Sequence, residues 1–291
     1  MKKNIVYLGK RFFEILTKIS PKLSCITLFF MRTKKIPNLK NPKTFNEKTT
    51  YLKLNNYNNN DLVVKCSSKY EVREYVLKKG YGNILNELYG VYDNFDEIDF
   101  TKLPLKFALK CTHGCAYNII CKDKNSLDLN ESNKKVNSWM KEKYGYATTE
   151  LHYAKIKPQI IIEKYLCDEK GKMPMDYKIY CFNGKAEIIL VCSEREEGLK
   201  LNYFDKNWNV KDYCKEKWRG KKEIEKPNNL DEMLKIAEDL SKDFPFVRVD
   251  LYNENGRIIF GELTFTPACC CAPYYNDKGD VELGKMLDIK K

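Results

Sequence analysis

Apolar positions along the chain change period several times, and each change marks an element. Ile5, Leu8, Phe12, Ile15, Leu16, Ile19 and Leu23 recur at spacings of three and four, which predicts an amphipathic helix with Lys10, Arg11, Lys18 and Lys22 on its polar side. Thr44 followed by Glu47 is a capping box that opens the next helix, each side chain satisfying the other residue's backbone N–H. Residues 61–82 read as one further helix, stopped by Gly80 and Gly82. Residues 85–104 read as short strand and loop material ending at Pro104.

Strand-like runs then dominate. Residues 106–111 and 119–123 predict a hairpin around a turn-like loop, and residues 130–145 a polar helix. Residues 157–166 form a strongly apolar strand, and residues 176–195 two strands turning at Asn183-Gly184. An amphipathic helix over 230–244 precedes a last hairpin over 246–265, which turns at Asn255-Gly256. Hairpins alternating with helices indicate an α+β fold.

Composition narrows the class. With 43% hydrophobic and 32% charged residues over 291 positions, the chain is a globular protein able to bury a sizeable core. Its net charge of +12 is uneven, because residues 1–48 hold twelve Lys/Arg against Glu14 and Glu47 and so account for +10. A basic arm on a nearly neutral body is not a general nucleic-acid-binding surface. Two readings of the arm stay open: a helix lying on an anionic membrane, or a helix packed on its own domain with solvated lysines. The uncharged stretch Leu23–Met31 is too short to span a bilayer and has no cleavage site, so the expected location is cytoplasmic.

Twelve cysteines without an export signal read as reduced thiols. No C-x-x-C pair exists and there are two histidines, so Cys111, His113, Cys115 and Cys121 do not make a zinc site.

Candidate chemistry lies in the last hairpin. Alternation places Arg248 and Asp250 on one face of its first strand, and Glu262 and Thr264 on one face of its second. Two neighbouring carboxylates repel, and the pair persists best with a cation between them; magnesium suits such hard oxygen donors. Spacing alone favours the other reading, in which both acids face solvent on an ordinary half-exposed hairpin.

The register of the motif resembles the closing hairpin of the ATP-grasp superfamily, the carboxylate–amine ligases typified by D-alanine–D-alanine ligase. Arg248, Asp250, Glu262 and Pro267 follow the order Arg-x-Asp, turn, Glu-x-Asn-x-x-Pro, with Thr264 in place of the usual asparagine. The resemblance implies that Asp250, Glu262 and Thr264 hold Mg2+, and that Arg248 and Lys110 act on the reacting groups. It also implies that ATP meets Lys110, the loop at His113 and Gly114, the hinge stretch Glu163, Lys164, Tyr165 and Leu166, and then Asp176 and Lys178. More narrowly, residues 38–285 are similar to the teichuronopeptide-biosynthesis (TupA-like) branch of the superfamily.

That branch implies an ATP-grasp fold in which two α+β subdomains, residues 105–166 and 167–291, clasp the nucleotide. A helical and α/β region over 38–104 and the basic arm over 1–37 would precede them. The implied activity is ATP-dependent amide formation on a uronic-acid-type carboxylate, within bacterial cell-surface polysaccharide biosynthesis. Its implied partners are an acidic glycan or lipid-linked saccharide and an amine donor such as an amino acid. The arm would set the enzyme at the inner face of the plasma membrane. Cys269, Cys270 and Cys271 are read as small residues that shape the acceptor pocket, since an acyl-phosphate ligase needs no enzyme nucleophile. Two rivals remain: a glycosyltransferase, although no Asp-x-Asp occurs in the chain, and a non-catalytic nucleotide-binding module.

Overall fold

The structure, a computed structural model, describes residues 2–167, 174–193, 199–220, 223–254 and 256–290. The arm is two helices, α1 (Lys2–Ile19) and α2 (Pro21–Thr33). Ser20 separates them and caps α2 by accepting from the Leu23 N–H, and Pro21 sits in the first turn, where a backbone donor is not needed. The chain continues through α3 (Phe45–Asn55), α4 (Asp61–Ser67), α5 (Val72–Lys78), β1 (Leu88–Tyr92), β2 (Phe107–Cys111) and β3 (Asn118–Cys121). Next come α6 (Leu129–Met140), β4 (Ile160–Lys164), β5 (Met175–Phe182), β6 (Lys185–Ser193), β7 (Lys200–Asp205) and β8 (Val210–Lys211). The chain closes with α7 (Leu230–Ser241), β9 (Phe246–Glu254), β10 (Arg257–Thr264) and α8 (Asp277–Met286).

The strands form two antiparallel sheets, so the fold is α+β. One has the order β1-β4-β2-β3 and the other β10-β9-β5-β6-β7-β8. The turn between β5 and β6 has positive φ at both Asn183 (50°) and Gly184 (82°), the backbone that matches the twist of paired strands. Asn255 of the second predicted turn lies outside the described residues, as do residues 194–195 at the end of the predicted strand pair. The capping box forms as expected: the Thr44 hydroxyl accepts from Glu47 N at 3.2 Å, and the Glu47 carboxylate accepts from Thr44 N at 3.1 Å.

Three elements differ from the sequence pattern. The helix expected to run from Ile5 through Leu23 is broken at Ser20, whose backbone is extended (φ −151°, ψ 101°), so Leu23 falls on α2. The single helix expected over 61–82 is broken into α4 and α5 at Ser68, whose backbone is extended (φ −75°, ψ 126°). There the Lys69 N–H donates to the Thr112 carbonyl at 3.2 Å, and this tertiary bond replaces a helical one. The predicted apolar stripe of α1 also faces outward. Leu8, Phe12, Ile15 and Ile19 are exposed, whereas Phe13 and Thr17 are buried against the body, with the Thr17 hydroxyl donating to Ser24 Oγ at 2.7 Å. Among the described residues no helix is long and apolar enough to cross a membrane.

Packing determines which side chains remain for chemistry. Met233, Ile236, Ala237 and Leu240 of α7 are buried against the six-stranded sheet, together with Val247, Val249 and Leu251 of β9. Each fully buried aliphatic side chain contributes about 1.5–3 kcal/mol, and a one-residue slip would expose the whole row. The alternation therefore fixes Arg248 and Asp250 on the opposite face. A smaller core of Phe107, Leu109, Ile160, Ile162 and Val136 does the same for the four-stranded sheet.

Candidate functional site

Strands β5, β9 and β10 are neighbours, and their register aligns side chains in rows. Asp250 is flanked by Lys178 on one side and Glu262 on the other, and Arg248 by Tyr180 and Thr264. The position of Glu262 depends on a bulge. Pairing runs Phe260↔Leu251 and then Glu262↔Asp250, so Gly261 is the extra residue. Without it Glu262 would project from the other face of the sheet. A Cβ at Gly261 would lie 2.9 Å from the Asp250 carbonyl oxygen, closer than side-chain carbons approach a backbone oxygen.

Arg248 organises this surface. Its Nε donates to Asp250 Oδ1 at 2.6 Å and its Nη2 to Asp250 Oδ2 at 2.7 Å, a two-pronged pairing. The same Nη2 reaches Thr264 Oγ1 at 3.0 Å and Glu262 Oε1 at 3.3 Å. Lys178 Nζ lies 2.5 Å from Asp250 Oδ2 and 2.7 Å from Asp176 Oδ2. Burial opposes ionisation of Asp250, but the charges of Arg248 and Lys178 outweigh it and hold this carboxyl below its usual range. Asp176 moves the other way, raised by burial and then by the charge of Asp250. The two acids of the hairpin are unequal in access: the Glu262 side chain is 43% exposed and that of Asp250 3%.

The other side of the cleft is basic. Lys110 on β2 pairs with Glu163 on β4 at 2.7 Å, and Arg73 on α5 with the second oxygen of Glu163 at 3.2 Å. Lys69, carried in by the break between α4 and α5, donates from Nζ to the Gly114 carbonyl. Burial pushes the pKa of this ammonium down. Lys69, Arg73, Lys110, Lys178, Asp250 and Glu262 together line one cleft of about 230 Å³. On the six-stranded sheet Asp176, Asp250 and Glu262 outnumber Lys178 and Arg248. Facing them, Lys69, Arg73 and Lys110 outnumber Glu163. One side thus has a surplus of carboxylate and the other a surplus of cation.

Among the described residues no group of three or more His, Cys, Asp or Glu could hold a metal ion unaided. Asp250 and Glu262, with the Thr264 hydroxyl, supply two carboxylates and one neutral oxygen. This hard donor set fits magnesium, which takes its remaining ligands from water and phosphate. Glu262 is the accessible member, and Asp250 would share its oxygens with Arg248 and Lys178.

The remaining residues singled out in the sequence divide. Lys110, Glu163, Leu166 and Lys178 line the cleft. His113 does not: its ring is buried against Tyr117, and its Nε2 lies 3.0 Å from the Trp139 carbonyl oxygen. Gly114 is packed so closely that a Cβ there would fall 2.6 Å from the Tyr117 ring. The backbone of Lys164 is already engaged, its N–H with Glu87 O at 3.0 Å and its carbonyl with Asn86 Nδ2 at 2.9 Å. Tyr165 is buried. Lys69, Arg73 and Gly261 were missed by the sequence reading. Gly261 carried a readable signal, since an isolated glycine inside a strand pattern points to a bulge. Lys69 and Arg73 carried none.

After β10 the chain makes a left-handed turn, with Ala268, Cys269 and Cys270 at φ 49°, 59° and 64°. These are non-glycine residues in a region that costs each about 1–2 kcal/mol. Their carbonyl oxygens are held from outside. Arg32 donates to Ala268 O at 3.1 Å, Lys53 to Cys269 O at 2.8 Å and the Thr50 hydroxyl to Cys270 O at 3.0 Å. Burial raises the pKa of all three thiols, so they stay protonated at neutral pH and are poor nucleophiles.

Two antiparallel sheets meet at the cleft, with the Arg-x-Asp strand paired to the Glu-x-Thr strand across a hairpin, and the chain is of the ATP-grasp class. The TupA-like ATP-grasp family model matches residues 47–288, and the chain belongs to that family. No curated protein sequence matches it. Similar solved structures include the ADP complex of PurK, N5-carboxyaminoimidazole ribonucleotide synthetase, at 14% identity and a TM-score of 0.44, covering 75% of this chain and 47% of that one. D-Alanine–D-alanine ligase from Bacillus anthracis matches at 15% identity and a TM-score of 0.44, covering 84% of this chain and 70% of the ligase. The L-amino acid ligase from Bacillus licheniformis matches at 13% identity and a TM-score of 0.41, covering 69% and 43%. The chain thus spans about half the length of the first of these.

Proposed function

We propose that the protein is an ATP-dependent carboxylate–amine ligase. The observation that carries this reading is the division of charge across one cleft, with Asp250 and Glu262 on one side and Lys69, Arg73 and Lys110 on the other. Polyphosphate needs cations, and a magnesium ion bound to it needs carboxylates; the two sides supply each. Asp250, Glu262 and Thr264 would hold magnesium, which offsets phosphate charge when bound. Lys110 and Lys69 would neutralise phosphate oxygens, and Leu166 would line the nucleotide end of the cleft. In the reaction the γ-phosphoryl group passes to a substrate carboxylate oxygen as its bond to ADP breaks. An amine nitrogen then attacks the acyl carbon, phosphate leaves and a proton is released. Arg248 would stabilise the oxyanion that forms at that carbon.

For the carboxylate we propose a uronic-acid-type group of a bacterial cell-surface polysaccharide or its precursor, a reading supported by membership of the TupA-like family. The engagement of both Asp250 oxygens by its own cations favours a second reading, a module that binds nucleotide without turning it over.

Calorimetry with ATP, with and without magnesium, tests the proposal on the wild type and on Glu262→Gln, alongside a panel of nucleotide sugars. The ligase reading expects magnesium-dependent ATP binding, weakened at least about tenfold in the variant. The half-exposed side chain of Glu262 makes Gln a mild substitution for the fold. Binding of a nucleotide sugar in place of ATP would sink the proposal, and ATP binding indifferent to magnesium and to Glu262 would leave the second reading.

A further inference from the structure

We propose that α1 and α2 form a docking surface for an anionic phospholipid bilayer. This inference stands on the arm alone and does not depend on the chemistry assigned to the cleft. On α1, Leu8 (66% exposed), Phe12 (54%), Ile15 and Ile19 (75%) recur at spacings of four, three and four, so they form a single stripe. Phe13 and Thr17, which contact the body, lie on the opposite side of the same helix. The stripe therefore points directly away from the protein. Leu23, Phe30 and Met31 of α2, which packs on α1, are also exposed. Folded chains rarely leave apolar side chains concentrated in this way without something to cover them.

Charge identifies the occupant. Residues 1–35 contain nine Lys/Arg and one acid, Glu14, and that acid is paired with Arg11 at 3.0 Å. Lys18, Lys22 and Lys34 are exposed beside the apolar positions. A second copy of this chain would bring the same positive charge against itself. A bilayer with anionic headgroups accepts the apolar stripe into its acyl boundary and meets the lysines at headgroup level, where their long stems reach outward.

The surface is also joined to the segment that follows β10. Arg32 of α2 donates to the Ala268 carbonyl and lies 3.8 Å from the Cys271 sulfur, and Lys35 pairs with Asp277 at 2.6 Å. Docking would hold the loop that follows β10 close to the membrane, suiting an acceptor presented on a lipid. That last step, unlike the docking itself, rests on the ligase reading.

Co-sedimentation of the full chain with vesicles tests the inference, using phosphatidylcholine alone and phosphatidylcholine with about one-third phosphatidylglycerol. At least about tenfold stronger partitioning onto the anionic vesicles is expected, falling at high salt as the headgroup charge is screened. Phe12→Asp/Ile19→Asp, at exposed positions, should abolish it without shifting the thermal midpoint or ATP affinity. Lys22→Glu/Lys34→Glu should reduce it with the apolar stripe intact. A wild type that stays in the supernatant with anionic vesicles, or sediments equally with both kinds, overturns the proposal. So does light scattering that finds a dimer which Phe12→Asp/Ile19→Asp splits into monomers while the wild type ignores vesicles. ATP binding measured on the same samples separates failure of docking from failure of the nucleotide site.

Discussion

Replacing Arg248 by Met removes four donor contacts at once: two to Asp250, one to Thr264 and one to Glu262. Asp250 is 2% exposed and would keep Lys178 as its remaining cation, a lysine already shared with Asp176. Breaking a buried ion pair on one side costs about 3–5 kcal/mol, because it leaves a charge in low dielectric without compensation. Unfolding entropy near 2.1 cal/mol/K per residue gives about 0.6 kcal/mol/K for a chain of 291 residues, so the thermal midpoint should fall by about 5–8 °C. Asp250→Asn should be destabilising for the mirror-image reason. The double variant Arg248→Met/Asp250→Asn removes both charges and should lie at least about 2 kcal/mol above the sum of the singles. Urea unfolding of the four proteins closes the cycle. A single variant within about 1 kcal/mol of wild type, with a coupling energy near zero, would show that Arg248 is not what holds the buried carboxylate in place.

Two further outcomes follow from the site and its surroundings. Gly261→Ala should lose about 1–3 kcal/mol of stability and weaken magnesium-dependent ATP binding, because its Cβ meets the Asp250 carbonyl at 2.9 Å and the bulge must shift; unchanged binding would dissociate the bulge from the placement of Glu262. His152 is buried beside Lys53, with Nδ1 3.4 Å from Asn58 Oδ1, and burial lowers its pKa to about 3. The unfolded chain, with an ordinary pKa near 6.5, binds the proton first as pH falls, so stability should drop by about 1.4 kcal/mol per pH unit between about 6.5 and 3. Urea midpoints at pH 7.5 and 5 measure this slope; His152→Gln should flatten it, and an unaltered slope in that variant would acquit the histidine.

Features encoded by neighbours in sequence were readable, and features made by contact were not. The Thr44 capping box, the Asn183-Gly184 turn and the alternation of Val247, Val249 and Leu251 each depend on a few adjacent residues, and each appears as its pattern predicts. The order Arg248, Asp250, Glu262 survives for the same reason, although the bulge that aligns Glu262 was overlooked. Lys69 enters the cleft because its N–H bonds to Thr112, more than forty positions away, and no local period announces that bond. Arg73 is similar, held by Asn86 and Glu163. The stripe on α1 illustrates the limit well. An amphipathic period reveals that a helix has an apolar face, but the direction of that face is settled by Phe13 and Thr17 packing on the body.

The left-handed turn at Ala268–Cys270 has a consequence for how such a protein can diversify. Arg32, Lys53 and Thr50 grip it by carbonyl oxygens, atoms that every amino acid possesses. The path of the chain there is thus held largely by atoms that lie outside its side chains. The half-buried residues at 268 and 269 can change while the clamps preserve the backbone, and glycine at either would relieve strain. A lineage could alter these two side chains without rebuilding the hairpin that precedes them, so variation at this turn is reachable in single steps.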